Sequence, residues 1–281
     1  MKPTIIILTF NSSGSIANTL AAIASLSDDV HVVDSGSTDN TVEIASAFGA
    51  KVQQHPFLNY GNQRNWAIDN ISAKYPWQLH LDADECVSDA LRAEILALPD
   101  DPGCDGFFLK RYLRFMNRTL KHNLAPTWHM RLFRAGKCRC ELREYDQHFF
   151  CTGATARLHG SMLDDIRMSL SEWTCRHNRW SDAEVRELLG RSLEGRVESK
   201  LSGDVVQRKR YLRSKYDRAP LFLRAFALFV YRYFFRLGFL DGIEGLIFCV
   251  LQTLWFRFLV DAKLLEAKRS NAPAPTPQSR P

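Results

Sequence analysis

The sequence predicts an α/β protein, and three observations carry that expectation. A β-branched run near the N-terminus ends in a polar loop. Helix-spaced apolar residues follow it, and the same strand, loop and helix order then repeats. Thr4-Ile5-Ile6-Ile7-Leu8-Thr9-Phe10 reads as a buried parallel strand bounded by Asn11-Ser12-Ser13-Gly14-Ser15. Ser15 can cap a helix in which Ile16, Leu20, Ile23 and Ala24 share a face. Val30-His31-Val32-Val33 is a second strand, running into Asp34-Ser35-Gly36-Ser37-Thr38-Asp39-Asn40, with a helix from Thr41. A third strand is expected near Ala50-Lys51-Val52-Gln53. In Tyr60-Gly61-Asn62-Gln63-Arg64-Asn65-Trp66-Ala67, Gly61 would let the backbone approach a ligand closely, and the planar fork of Arg64 could pair with a phosphate.

Trp77-Gln78-Leu79-His80-Leu81-Asp82-Ala83-Asp84-Glu85 reads as a strand that ends in two carboxylates. In an open α/β sheet ligands bind beyond the carboxyl ends of strands, and alternation would point Asp82 and Asp84 the same way. Two hard oxygen donors on one side suit Mg²⁺ or Mn²⁺ bound together with a diphosphate. Ser88 caps a further helix ended by Pro99 and Pro102, and residues 106–113 and 128–134 read as strands. The polar run Arg143-Glu144-Tyr145-Asp146-Gln147-His148 lies between strand-like stretches, and Arg176-His177-Asn178-Arg179-Trp180 is a dense polar and indole cluster.

Composition narrows the class. The 281 residues fit one large domain or one domain with an appendage, and the net charge of +6 suits anionic partners. Seven cysteines do not make a disulfide scaffold here, and the short apolar start lacks the form of a signal peptide, so a reducing, cytoplasmic setting is expected. Cys138 and Cys140 read as period-two positions on a strand in preference to a zinc site with His148 and Cys151. No G-x-G-x-x-G follows the first strand and no P-loop is present, which speaks against dinucleotide oxidoreductases and P-loop enzymes.

Four motifs in order, Thr9-Phe10-Asn11, Asp34 to Asp39, Gly61-x-x-Arg64-Asn65-x-Ala67 and Asp82-Ala83-Asp84, resemble the inverting glycosyltransferases of family 2, over about the first 180 residues. The bacterial lipopolysaccharide-core and exopolysaccharide branch is the nearest in pattern. The resemblance implies a GT-A-like, doubly wound, mostly parallel sheet with flanking helices. It also implies a nucleotide-diphosphate sugar as donor and Mg²⁺ or Mn²⁺ as cofactor. Carried over by position, Thr9, Asn11 and Asp34 would line the nucleoside pocket and Arg64 would lie near the base or diphosphate. Asp82 would face the donor, and Asp84, with Asp82, would hold the metal. The family often has a second Asp where this chain has Ser35, a departure at the base-reading contact. An inverting transfer needs a general base for the acceptor hydroxyl. The resemblance puts an acid at this point of the chain, Asp146 first and Glu144 second. His148, Arg179 and Trp180 would border the phosphates or sugar, or serve only to pack.

Residues 1–185 are thus expected to form the catalytic domain and 186–218 a basic helical linker. From residue 176 to 218, twelve Lys and Arg face seven Asp and Glu. Nucleic acid is not the expected partner, because interleaved aromatics and a reading motif are missing. Residues 219–268 read as two apolar helices broken at Gly238-Phe239-Leu240-Asp241-Gly242, without 18 uninterrupted apolar residues in either. They fit a C-terminal apolar helical hairpin lying on the inner face of the cytoplasmic membrane, or one packed on the catalytic domain or a second subunit. The resemblance implies a glycan acceptor, lipid-linked in similar members. Residues 269–281 read as a disordered Pro-rich tail. The rival readings are a nucleotidyltransferase of similar fold, whose glycine- and arginine-rich loop is missing, and a non-catalytic membrane scaffold.

Overall fold

The computed structural model describes residues 1–123, 126–190 and 197–270. The chain divides into two compact units. The first comprises Met1–Arg114, Pro126–Glu141 and His148–Arg167. Its elements are β1 (Thr4–Thr9), α1 (Ile16–Ile23), β2 (Val30–Asp34), α2 (Thr41–Ala47), β3 (Lys51–Gln54), α3 (Tyr60–Asn70), β4 (Trp77–Asp82), β5 (Glu85–Val87) and α4 (Asp89–Ala97). Along the chain come β6 (Gly106–Phe115), β7 (Arg118–Leu120), β8 (Thr127–Arg134), β9 (Cys138–Cys140), β10 (Phe149–Cys151) and β11 (Thr155–Ile166); β7 belongs to the second unit.

The main sheet runs in the order β3-β2-β1-β4-β8-β6-β11-β5. The four strands from β3 to β4 are parallel, as helical crossovers require, whereas β8 runs antiparallel to both β4 and β6. The sheet is therefore mixed, and its parallel half is the part the N-terminal repeats encode. All six residues of β1 are buried, which explains its unbroken β-branched sequence. Ile5, Ile7, Val32, Leu79 and Leu81 join Ile16, Leu20 and Ile23 of α1 in the principal core. Ser88 caps α4 by accepting from the Leu91 amide at 3.2 Å. Ser15 instead donates to the Ser12 carbonyl at 3.3 Å, so α1 starts without a side-chain cap. A small β9–β10 ribbon pairs Cys138 with Cys151 in register, and their sulfurs are joined in a disulfide, which the sequence reading did not anticipate.

The second unit comprises Phe115–Ala125, Leu142–Gln147 and Met168–Pro281. Its helices are α5 (Leu170–Leu189), α6 (Val205–Arg218), α7 (Leu223–Val230), α8 (Gly242–Cys249) and α9 (Phe256–Ser270). Capping boxes begin α5, with Ser169 and Glu172, and α6, with Asp204 and Gln207. The chain turns at Arg236 and Leu237, the latter with a left-handed backbone, just ahead of the break expected at residues 238–242. From Gly238 to Ser270 the chain forms 33 residues of continuous helix. An 18-residue window there has a mean hydropathy of 1.7, apolar enough to cross a membrane by length and composition; a third of the window is buried within the protein. Glu244, Gln252 and Arg257 interrupt this stretch, so it holds no 18 uninterrupted apolar residues, as expected from the sequence. On one side Phe256, Val260 and Leu264 pack with Val185 of α5. Residues 191–196 of the expected linker, and 271–281 of the expected tail, lie outside the described residues.

Candidate active site

In the first unit, the loops after β1 and β2 lock onto each other. Asn11, with a positive φ of 46°, accepts from the Thr38 amide at 2.8 Å, while its own amide donates to Ser37 Oγ at 2.8 Å. The Ser12 amide donates to Thr41 Oγ1 at 2.7 Å, and the Ser13 amide to Asp39 at 3.1 Å. Asp34 is fully buried, and its carboxylate accepts from the amides of Gly36 and Ser37 at 2.9 and 2.8 Å and from Ser37 Oγ at 2.5 Å. Asp34 thus shapes its own loop, in the manner of an Asx turn. Ser35 Oγ accepts from Gln63 at 3.1 Å, and Gln63 in turn meets His55 Nδ1 at 2.7 Å. Thr9 is 5% exposed, and its hydroxyl has no hydrogen-bond partner among the described residues, a buried polar atom at a strand end that a ligand could satisfy.

At the end of β4 the charges are paired. Asp82 Oδ1 lies 2.5 Å from Arg64, and Oδ2 lies 2.9 Å from Arg131. Arg64 also donates to the Leu81 carbonyl at 3.1 Å. Arg131 reaches Glu85 at 2.7 Å, and Glu85 accepts from the Asp82 amide at 3.0 Å. Arg111 extends the chain of charges, 3.5 Å from Glu85 and 3.2 Å from Asp164. Burial raises the proton affinity of Asp82, but Arg64 and then Arg131 outweigh it and hold the carboxyl at about 2, below its usual 3.8. His80, beneath this group, is kept well below 6.5 by burial and then by the same two arginines.

The strand stops at Asp82, and Ala83 and Asp84 form a turn into β5, so alternation along a strand does not orient the two acids. Asp84 is half-buried, with its carbonyl accepting from the Asp165 amide at 3.0 Å. Among the described residues no group of three or more His, Cys, Asp or Glu is placed to hold a metal. The donor chemistry nevertheless fits Mg²⁺ or Mn²⁺, which need only one or two carboxylates when substrate phosphates supply other oxygens. Both Asp82 oxygens face arginines. Glu85 and Arg131 were missed by the sequence reading. Arg131, set between the apolar Met130 and Leu132 of β8, was the available signal, since a buried charge needs a partner.

Gly61 lies inside α3, not at a turn. A Cβ there would sit within 2.3 Å of the Glu141 carbonyl oxygen, so the close approach serves helix packing against the end of β9 and not a ligand. Asn65 of the same helix bonds both ways with the Cys140 backbone, at 2.9 Å each. His148 is also in this unit, buried, with its amide donating to Glu141 at 3.0 Å.

The remaining expected residues belong to the second unit. Asp146, at a positive φ of 58°, pairs with Lys209 at 2.9 Å and Arg210 at 3.0 Å. Glu144 is more open, 3.5 Å from Arg186. Trp180 lies in α5 under the guanidinium of Arg176, 4.8 Å from the ring centre, and packs beside Tyr145 and His177; Arg179 is half-buried next to it.

A family model for glycosyl transferase family 2 matches residues 4–163. An uncharacterized glycosyltransferase of Rickettsia bellii is 42% identical over 89 residues, 32% of this chain and 30% of that protein. The lipopolysaccharide core biosynthesis glycosyltransferase LpsC of Rhizobium meliloti is 30% identical over 124 residues, 41% of this chain and 45% of that one. The matches thus span less than half of either relative. Among solved structures, S. aureus TarS 1–349 in complex with UDP-GlcNAc has a TM-score of 0.49 at 14% identity, covering 96% of this chain and 92% of that one. Glucosyl-3-phosphoglycerate synthase from Mycobacterium tuberculosis, in complex with Mn²⁺ and UDP, has a TM-score of 0.32 at 21% identity, over 40% and 44% of the two chains.

Proposed function

The chain belongs to glycosyl transferase family 2, and from that premise we propose that it transfers a sugar, with inversion, from a nucleotide-diphosphate donor to a glycan acceptor. The acceptor is lipid-linked, and the product belongs to a bacterial lipopolysaccharide or other envelope polysaccharide. The observation that carries this reading is the meeting of Asp82, Arg64, Arg131 and Glu85 at the carboxyl end of β4, with Asp84 in the turn just beyond. Thr9, Asn11, Asp34 and Ser35 serve the nucleoside side, the first through its unpartnered hydroxyl and the others by holding the interlocked loops open in one shape. Arg64 and Arg131 fix the Asp82 carboxylate in its ionised form, facing the donor. Asp84, with Asp82 beside it, would hold Mg²⁺ or Mn²⁺, which offsets the charge developing on the departing diphosphate. His148, Arg179 and Trp180 are assigned to the donor and acceptor surroundings on the resemblance alone.

The general base is Asp146 or Glu144, and these assignments too rest on the resemblance. Asp146→Asn and Glu144→Gln distinguish them. The variant of the true base loses about 10²-fold or more in kcat with nucleotide binding intact, and the other stays near wild type. Equal turnover in both variants would remove the pair from the chemistry. The protein is assigned to the inner face of the cytoplasmic membrane, with its apolar tail providing the contact with lipid. The test of the central reading is a screen of nucleotide sugars and nucleoside diphosphates for thermal stabilisation, with and without Mn²⁺ or Mg²⁺. Stabilisation that depends on the cation in wild type and disappears in Asp84→Ala is expected; no stabilisation by any nucleotide would overturn it.

A further inference from the structure

Exposed apolar side chains occur along the tail, at Leu223, Phe226 and Phe258 among others, and they are densest where the apolar helices turn. Phe234, Phe235, Leu237, Phe239, Leu240 and Ile243 are all exposed there, Phe235 at 76%. Neighbouring apolar positions normally bury one another, and a contiguous exposed group of this size marks a docking surface. This apex is held rigidly. The buried carboxylate of Asp241 accepts from three successive amides, of Lys121, His122 and Asn123, at 2.9, 3.0 and 3.1 Å, and meets His122 Nδ1 at 3.0 Å. Arg232 donates to the Asn123 carbonyl at 3.1 Å. Residues 116–123 are thereby fixed alongside the helix turn.

Between the two lies an open cavity of about 670 Å³, lined by Met116, Arg118, Lys121, His122, Leu240 and Glu244 among others. Its lining sets Arg118 and Lys121 against Asp241 and Glu244. Asp241 is used up by the amides, and Glu244 faces Arg118 at 3.6 Å. Lys121 lines the cavity as an exposed cation, and Arg236 is exposed at the helix turn. Aromatic and aliphatic side chains flanked by exposed Lys and Arg match a bilayer carrying acidic lipid: rings enter the acyl boundary while the cations meet phosphate.

We propose that this apex, residues 234–243 together with the 116–122 hairpin, is the membrane-docking surface, and that its occupant is an anionic phospholipid bilayer. The proposal rests on the membrane-associated part of the reading above and names which face touches lipid. An inserted tip held by cations also leaves the helices themselves free to pack within the protein, as Phe256, Val260 and Leu264 do.

The test is flotation of the full chain with vesicles of phosphatidylcholine alone and of phosphatidylcholine mixed with phosphatidylglycerol. Wild type should float with the mixed vesicles, and less so at raised salt. Phe235→Ser with Leu240→Ser should weaken binding by on the order of 100-fold, and Lys121→Glu with Arg236→Glu by on the order of 10-fold. Phe258→Ser, an exposed change on α9 away from the apex, should bind like wild type. Far-ultraviolet circular dichroism and nucleotide-dependent thermal stabilisation, both expected unchanged, show that the variants are folded and keep sugar-transfer failure separate. Wild type that floats as well on neutral vesicles, or apex variants that float like wild type, would overturn the proposal. So would vesicle-independent self-association abolished by Phe235→Ser, which would make a second copy the occupant. Wild type that binds no vesicle would remove the membrane assignment along with it.

Discussion

Both units bury networks of carboxylates and guanidiniums, but the two networks differ in what they leave open. In the first unit Asp82 keeps a third of its side chain exposed at the lip of the sheet, while Glu85 and Arg131 beneath it are sealed. In the second, Glu184 is held by Arg213 and, at 2.7 Å, by Arg257, with its side chain 2% exposed. Arg224 and Asp261 form another closed pair nearby. Sealed ion pairs recover their desolvation cost only through each other and contribute mainly to a unique packing. A network with one open carboxylate can also serve a ligand, because its buried members fix that carboxylate's charge and direction. Exposure at one end, and not the number of charges, is what distinguishes the two networks.

The largest expected effect tests the acid in the turn just beyond that open end. Asp84→Ala should lower sugar transfer by about 10³-fold or more and remove cation-dependent nucleotide binding, with the unfolding midpoint unchanged; full turnover would break the distinction. The next contrast sets the networks against each other. Arg131→Met leaves Glu85 poorly compensated and should cost about 3 kcal/mol in urea unfolding together with about 10²-fold in turnover. Glu184→Gln should cost a similar stability while the folded fraction keeps wild-type kcat/KM. If Glu184→Gln also impaired turnover, the second network would have to be counted as part of the site.

The smallest effect concerns pH. Burial drives His177 down to about 4, with hydrogen bonds to the Trp173 carbonyl and Gln252 opposing and Arg176 assisting. Its folded value lies below the ordinary 6.5, so the unfolded chain takes up the proton first. Stability is therefore full above 6.5 and falls as the pH drops towards 4, by about 2 kcal/mol at pH 5. Urea unfolding of wild type and His177→Gln at pH 7 and pH 5 checks this. An equal loss in both would assign the acid sensitivity to other groups.

Much of this was legible in the sequence, for definite reasons. β1, β2 and β4 are buried parallel strands, whose apolar runs and polar ends are local signals. The D-x-D marked the end of β4 because its acids interrupt such a run. What the sequence did not reveal was how charges pair over distance: Arg131 meets Asp82 across 49 residues and Glu85 across 46. Nor could it show that Asp34 spends its carboxylate on its own loop, or that Gly61 answers to the Glu141 carbonyl. Motif positions were readable; the atoms each side chain engages depended on tertiary neighbours.

The grip of Asp241 on three amides more than 100 residues earlier has a practical result. Trimming the chain ahead of residue 238, a natural way to seek a better-behaved catalytic fragment, would strand the amides of Lys121, His122 and Asn123 without their acceptor. The hairpin would then lose its anchor before any lipid was involved. The apolar tail is accordingly a fastener for earlier sequence, and shortened versions of this protein should not be cut before the helix turn.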